Sequence, residues 1–418
     1  MVEVSPLARA AAFFDRAALW LAVAIGFSIP VSTALDSLLV AALLLCWIAG
    51  GRYRAKLATL RANPFVVLPC GLFLVYLAGS LYSMGDAAAV VRALDKASVI
   101  LLIPVLISLA PAQEIRDRAV YAFLAAILLT LVLSFLLWLG VVPEGGEGSI
   151  IKGVRQDPTV FKKHITHGTL LAFGALVFAL MARSVARPAA KALLALVAAL
   201  AAFNVLFMVH GRTGQFVLIA LVLYFLLEWL RWRGLLVAAV AGMAIAGMVY
   251  LAPSSSLHGR VAATIAEIED WQAGKPAQPA NMRPESWRNS LEIVKRNPLI
   301  GVGTGGFAAA YAKQVEGTSM MPIAQPENQY LLTTVQLGVV GLAVLLALFV
   351  VQWSLASRLA TRTDTNLARG LVITIAVGCM FNSFLLDHTE ALFYAWFSGL
   401  LFTGLRPAGE HSQELGTV

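Results

Sequence analysis

Basic side chains in this sequence gather at three places where they could hold an anion, and acidic groups stand at two more. The segment KGVRQDPTVFKKHITHG carries Lys152, Arg155, Lys162, Lys163, His164 and His167, suited either to cradling phosphate or to touching anionic lipid head groups. Arg212 stands in HGRTGQ, a tight turn between two long apolar runs, where a guanidinium either snorkels to an interface or binds phosphate in bidentate fashion. Arg283 and Arg288 open the segment MRPESWRNSLEIVKRNPLIGVGTGGF, a little over one helical turn apart. Glu327 and Asn328 follow Pro326 at the start of a long apolar run. A carboxylate there either favours a helix dipole and caps the helix, or acts as a proton acceptor for a hydroxyl held beside it. FNSFLLDHTEAL adds Asp387, His388 and Glu390, an acid-base pair or a solvated turn; two adjacent residues do not make a metal site, and no metal-ligand motif occurs elsewhere.

The elements that must position these groups are set by composition. Of 418 residues, 59% are hydrophobic and only 13% charged, which excludes a large soluble catalytic domain and predicts an integral membrane protein. Apolar runs at about 17–32, 35–50, 64–84, 97–111, 119–142, 167–184, 189–209, 213–230, 233–252, 328–355, 367–386 and 389–405 predict an all-α, polytopic protein with about 12 transmembrane helices. The first two runs, separated only by a turn, read also as a re-entrant pair or one kinked element. The N-terminal stretch reads as uncleaved and cytoplasmic. The formal charge of +8 is explained by loop orientation, with no nucleic-acid partner implied.

Alternate connections are rich in Lys and Arg, and the opposite set holds few, Arg92 and Lys96 among them. By the positive-inside rule this places residues 253–327 outside the cytoplasm, between transmembrane helices over 1–252 and 328–406, with a cytoplasmic tail at 407–418. Within that outer stretch, 256–271 and 284–297 have helical spacing and predict a two-helix periplasmic cap. Gly301, Gly303 and Gly306 have the spacing of a dinucleotide fingerprint, but a helix precedes them where a strand is required. Their expected use is a sharp turn close to a ligand or a neighbouring helix.

HGRTGQ, RPESW followed by NPLIGVGTGGF, ENQYLLTTVQLGVVG and NSFLLD, in this order, resemble the bacterial O-antigen ligases and the related polymerases over most of residues 150–400. Arg212 and Arg283 match family positions. Asn328, a nine-residue spacer and Gly338 to Gly341 fit the ligase motif, but Glu327 stands where that motif has histidine. The resemblance implies an inner-membrane glycosyltransferase whose site faces the periplasm. It would move polysaccharide from undecaprenyl diphosphate to a hydroxyl of the lipid A-core oligosaccharide, without metal or cofactor and with inversion. Glu327, Arg212 and Arg283 would be catalytic, with Arg155, Lys162, Lys163, His164, His167, Arg288 and Asn328 contacting substrate. A polymerase of the same superfamily is the near alternative, and a lipid or oligosaccharide transporter the distant one.

Overall fold

The computed structural model describes residues 6–146, 148–237, 282–318 and 320–406, together with 239, 242, 243, 265, 266 and 269. Among them the protein is helical throughout, with isolated bridges in place of strands. The helices are α1 (Pro6–Val31), α2 (Thr33–Ala49), α3 (Tyr53–Ala62), α4 (Val67–Gly79), α5 (Ala87–Ser98), α6 (Leu102–Leu109), α7 (Gln113–Trp138), α8 (His164–Ser184), α9 (Pro188–Phe203), α10 (Arg212–Leu230), α11 (Met282–Arg296), α12 (Phe307–Val315), α13 (Gln329–Ala356), α14 (Arg362–Gly378) and α15 (His388–Phe402). The fold is that of a multi-pass membrane protein.

Seven segments among the described residues are long and apolar enough to cross a membrane, and an eighth if α2 and α3, bent by 111° at their junction, count as one span. The expected figure of about 12 included one span, at 233–252, that lies mostly outside the described residues, and it also counted shorter apolar helices. α15 is the clearest case: it has 15 residues, about 22 Å of helix, and every residue from Thr389 to Phe402 is buried. Its ring Phe397 lies 5.1 Å from Phe123 of α7, 5.0 Å from Phe173 of α8 and 5.2 Å from Phe393. Trp396 Nε1 donates to Ala22 O of α1 at 2.7 Å. A helix apolar all round is one surrounded on all sides, and α15 is the axis around which α1, α6, α7, α8 and α14 pack. The expected span at 233–252 and the first cap helix at 256–271 lie, apart from a few residues, outside the described residues; the second cap helix is α11.

One break in the helices decides where the site forms. Within α13, Gly338 has φ 63° and ψ −163°, which interrupts the hydrogen-bond ladder. The segment 298–303 fills the gap: Val302 N and Gly303 N donate to Val335 O and Gln336 O at 2.9 and 2.8 Å, and Val339 N donates to Pro298 O at 2.8 Å. Broken helices within membrane proteins need such partners. A Cβ on Gly338 would lie 2.1 Å from Leu299 O, and one on Gly303 2.3 Å from Ser83 Cα, so neither position accepts a side chain. The glycine-rich segment is thereby pinned to both α13 and the end of α4, where Thr304 N donates to Gly79 O at 3.0 Å.

Candidate active site

A cavity of about 700 Å³ opens at this end of the bundle, walled by α5, α11, α12, the loop before α13 and the first turns of α13. Arg92 and Lys96 of α5, Arg283 and Ser286 of α11, Glu327, and Gln336 of α13 line it. Three basic side chains face one acidic one, so its formal charge is +2. Arg92 and Lys96 are four residues apart on an amphipathic helix and therefore share a face. Asp86 starts that helix, its carboxylate accepting from Ala89 N at 2.6 Å. Among the described residues neither Arg92 nor Lys96 forms an ion pair.

Glu327 is held from two sides. Trp287 Nε1 donates to Pro326 O at 2.8 Å, which ties the loop to α11, and Gln329 N donates to Cys379 O at 2.8 Å, which ties it to the end of α14. Arg283 Nη2 lies 3.6 Å from Glu327 Oε2, with both side chains a little over one-third exposed. Glu327 itself has φ 51°, the left-handed region in which a residue with a Cβ costs about 1–2 kcal/mol. Of the two uses its position allows, helix capping belongs to its neighbour: Asn328 is the N-cap of α13, its Oδ1 accepting from Leu331 N at 3.0 Å. The Asn328 amide Nδ2 donates to Met380 O at 3.0 Å, so this side chain is engaged in scaffolding at both ends. The Glu327 carboxylate instead lines the cavity beside Arg283.

The other expected contact residues are distributed differently. Arg288 follows Arg283 by five residues, which rotates it about 140° around α11; it is 71% exposed, pairs with Glu285 at 3.8 Å and does not line the cavity. Arg212 opens α10 beside the 380–383 turn, where Asn382 Nδ2 donates to Thr213 Oγ1 at 3.2 Å and Phe216 stacks on Phe381; it too lies off the cavity wall. Arg155 pairs with Glu144 at 3.7 Å, and His164 lies 3.9 Å from Asp157, which also accepts from His210 N at 2.9 Å. Lys163 is the exposed residue before α8.

Lys162 and His167 are interior. His167 Nδ1 accepts from Val160 N at 3.4 Å, which leaves Nε2–H to donate to Asn204 Oδ1 at 3.3 Å. Asn204 Nδ2 in turn donates to Ser134 Oγ at 2.7 Å. Lys162 Nζ donates to Thr33 Oγ1 at 2.8 Å and Thr389 Oγ1 at 3.1 Å and lies 3.5 Å from Asp36 Oδ2. Burial lowers the Lys162 pKa, and the Asp36 and Glu390 carboxyls oppose that shift. Removing one partner of such a buried pair is costly, so Lys162→Ala is expected to lose about 3–5 kcal/mol of stability, whereas Lys163→Ala changes it by less than about 0.5 kcal/mol. Thermal unfolding of both variants in detergent checks this.

Sequence reasoning passed over Arg92 and Lys96 as members of the site. The available signal was two cations, four apart, on connections where the orientation rule disfavours them. Beyond Lys96 lies a second cavity, of about 670 Å³, which Asp387 and His388 line. Burial raises the Asp387 pKa, Lys96 pulls it down and Glu327 pushes it up, so the electrostatics of the two cavities are coupled. Among the described residues no three His, Cys, Asp or Glu side chains are arranged to hold a metal ion. No curated protein matches the chain. The family model described as O-antigen ligase matches residues 197–346, which carry Arg212, Arg283, Glu327 and the Gly338 break, and this match supports membership of the O-antigen ligase superfamily.

Proposed function

We propose that this protein is an O-antigen ligase of the bacterial inner membrane, its site facing the periplasm, transferring polysaccharide from undecaprenyl diphosphate to a hydroxyl of lipid A-core. The observation that carries the reading is the meeting of Arg283, Arg92 and Lys96 with a carboxylate, Glu327, in one cavity of formal charge +2. A diphosphate leaves readily when fixed cations meet its growing charge, and a guanidinium supplies this in bidentate form. Arg283 takes that role, with Arg92 and Lys96 adding to the field; Arg212 contributes from the neighbouring turn.

The acceptor hydroxyl oxygen bonds to the anomeric carbon as the bond from that carbon to the diphosphate oxygen breaks. The lipid diphosphate departs with the electron pair. Glu327 orients the hydroxyl and takes its proton late, when the forming bond has made that proton acidic. One such displacement inverts the anomeric centre. Arg283, 3.6 Å from the carboxylate, couples the leaving-group and acceptor halves of the site.

Deletion of the gene tests the reading: lipid-linked polymer is expected to persist while polymer-bearing lipopolysaccharide disappears. Lipid-linked single repeats left in its place would assign the protein to polymerisation. Because the diphosphate charge is met by protein cations, transfer by the purified protein is expected to continue in excess EDTA. Loss with EDTA and recovery with Mg²⁺ or Mn²⁺ would overturn that and bring Asp387 or Glu327 forward as ligands.

A further inference from the structure

α12 begins in the wall of the +2 cavity, and its start carries no side-chain cap. Gly306 is the N-cap, the first turn holds no acidic residue, and the helix ladder opens with Ala310 N donating to Gly306 O at 3.0 Å. The amides of Phe307, Ala308 and Ala309 therefore stand outside the ladder. Phe307 and Ala308 line the cavity, so the positive end of the helix faces it. Gln336 supplies a second and independent donor. It is only 4% exposed, and Gly305 N donates to its Oε1 at 3.1 Å. An N–H can only donate, so the amide oxygen faces Gly305 and the NH2 group turns away from it. Gln336 lines the cavity, and among the described residues its Nε2 has no protein partner. A buried donor of this kind calls for an acceptor oxygen. Gly305 stands two residues before Phe307, which sets the Gln336 amide beside the start of α12. Gly305 also abuts α5, since a Cβ there would lie 2.7 Å from Ala89 O, so Arg92, about one turn on from Ala89, passes the same point.

From this we infer that the first-turn amides of α12 and the Gln336 amide form a cradle for the lipid-side phosphoryl group of the donor diphosphate, while Arg283 holds the sugar-side one. Arg283 pairs with Glu327 just before α13 starts, whereas Gln336 lies seven residues beyond Gln329, about 10 Å further along that helix. The two phosphoryl groups differ in the reaction as they do in position. The lipid-side group keeps its charge throughout, which neutral fixed donors suit; the sugar-side group gains charge as the anomeric bond breaks, which a guanidinium suits. The inference rests on the proposed transfer reaction for the identity of the anion.

Binding of undecaprenyl phosphate and of undecaprenyl diphosphate to the protein in nanodiscs, with transfer measured in parallel, tests the cradle. Undecaprenyl phosphate carries the lipid-side phosphoryl group alone. Gln336→Glu keeps an acceptor for Gly305 N but sets a negative charge where the donor was, and should weaken both lipids by about 10²-fold, the upper range for a hydrogen bond to a charged group. Ala308→Pro removes an N–H that no helix bond uses, a change the first turn tolerates, and should weaken both by about 10-fold. Its side chain is exposed, so it carries the test if the buried substitution unfolds the protein. Undecaprenyl phosphate bound at wild-type affinity by both variants would overturn the cradle and, with wild-type transfer intact, leave the proposed reaction standing. Weakened binding of the diphosphate alone would put the cradle on the sugar-side group and overturn the assignment. Wild-type protein that binds neither lipid and performs no transfer would overturn the reaction itself.

Discussion

Arg283→Ala is expected to lower glycosyl transfer by about 10²–10³-fold, the loss typical of removing one fixed donor from developing transition-state charge. The protein should remain folded, because Arg283 is more than one-third exposed and its ion pair with Glu327 is a loose contact at 3.6 Å. Arg283→Lys should recover only part of the rate, since lysine keeps the charge but not the planar fork that grips two phosphate oxygens. Steady-state kinetics of the reconstituted variants, with thermal unfolding as the control for folding, decides the matter. Full activity of the alanine variant would remove Arg283 from the site.

Glu327→Gln should reduce kcat by about 10²-fold or more, the contribution expected of a positioned proton acceptor, with donor binding little changed. Glutamine keeps the shape and the left-handed backbone strain while removing the acceptor for a proton. Glu327→His, which introduces the residue of the ligase motif that this segment resembles, is expected to retain measurable activity. A wild-type rate for the glutamine variant would make Glu327 structural and move the search for a base to His164, His167 or His388. The structure already ranks these three unequally: His167 has both ring nitrogens engaged in the interior, whereas His388 lines the second cavity.

Legibility of these features in the sequence followed the range of the interactions that set them. The membrane class and most long helices were readable, because hydropathy over some 20 residues is a local quantity. Hydropathy alone does not separate α15, 15 residues long and enclosed by aromatic neighbours, from a helix facing lipid. The close approach of the glycine-rich segment to a neighbouring helix was expected; that this helix is broken at Gly338 to receive it depends on backbone partners 33 to 41 residues apart.

For the site, the motif residues Arg283 and Glu327 come together as a pair, while Arg92 and Lys96 reach it from nearly 200 residues earlier in the chain and carry no motif. The cluster of cations at 152–167 drew notice by composition. Its members are divided among a surface ion pair at Arg155, a buried strut at Lys162 and an interior hydrogen-bond chain at His167, a division that only burial reveals.

Transfer by the purified protein, reconstituted with undecaprenyl diphosphate-linked polysaccharide and lipid A-core, tests the central claim most directly. The expected product is lipid A-core bearing the polysaccharide through an inverted anomeric bond, formed with release of undecaprenyl diphosphate. Lipid A-core left unmodified while the lipid-linked chains grow longer would contradict it.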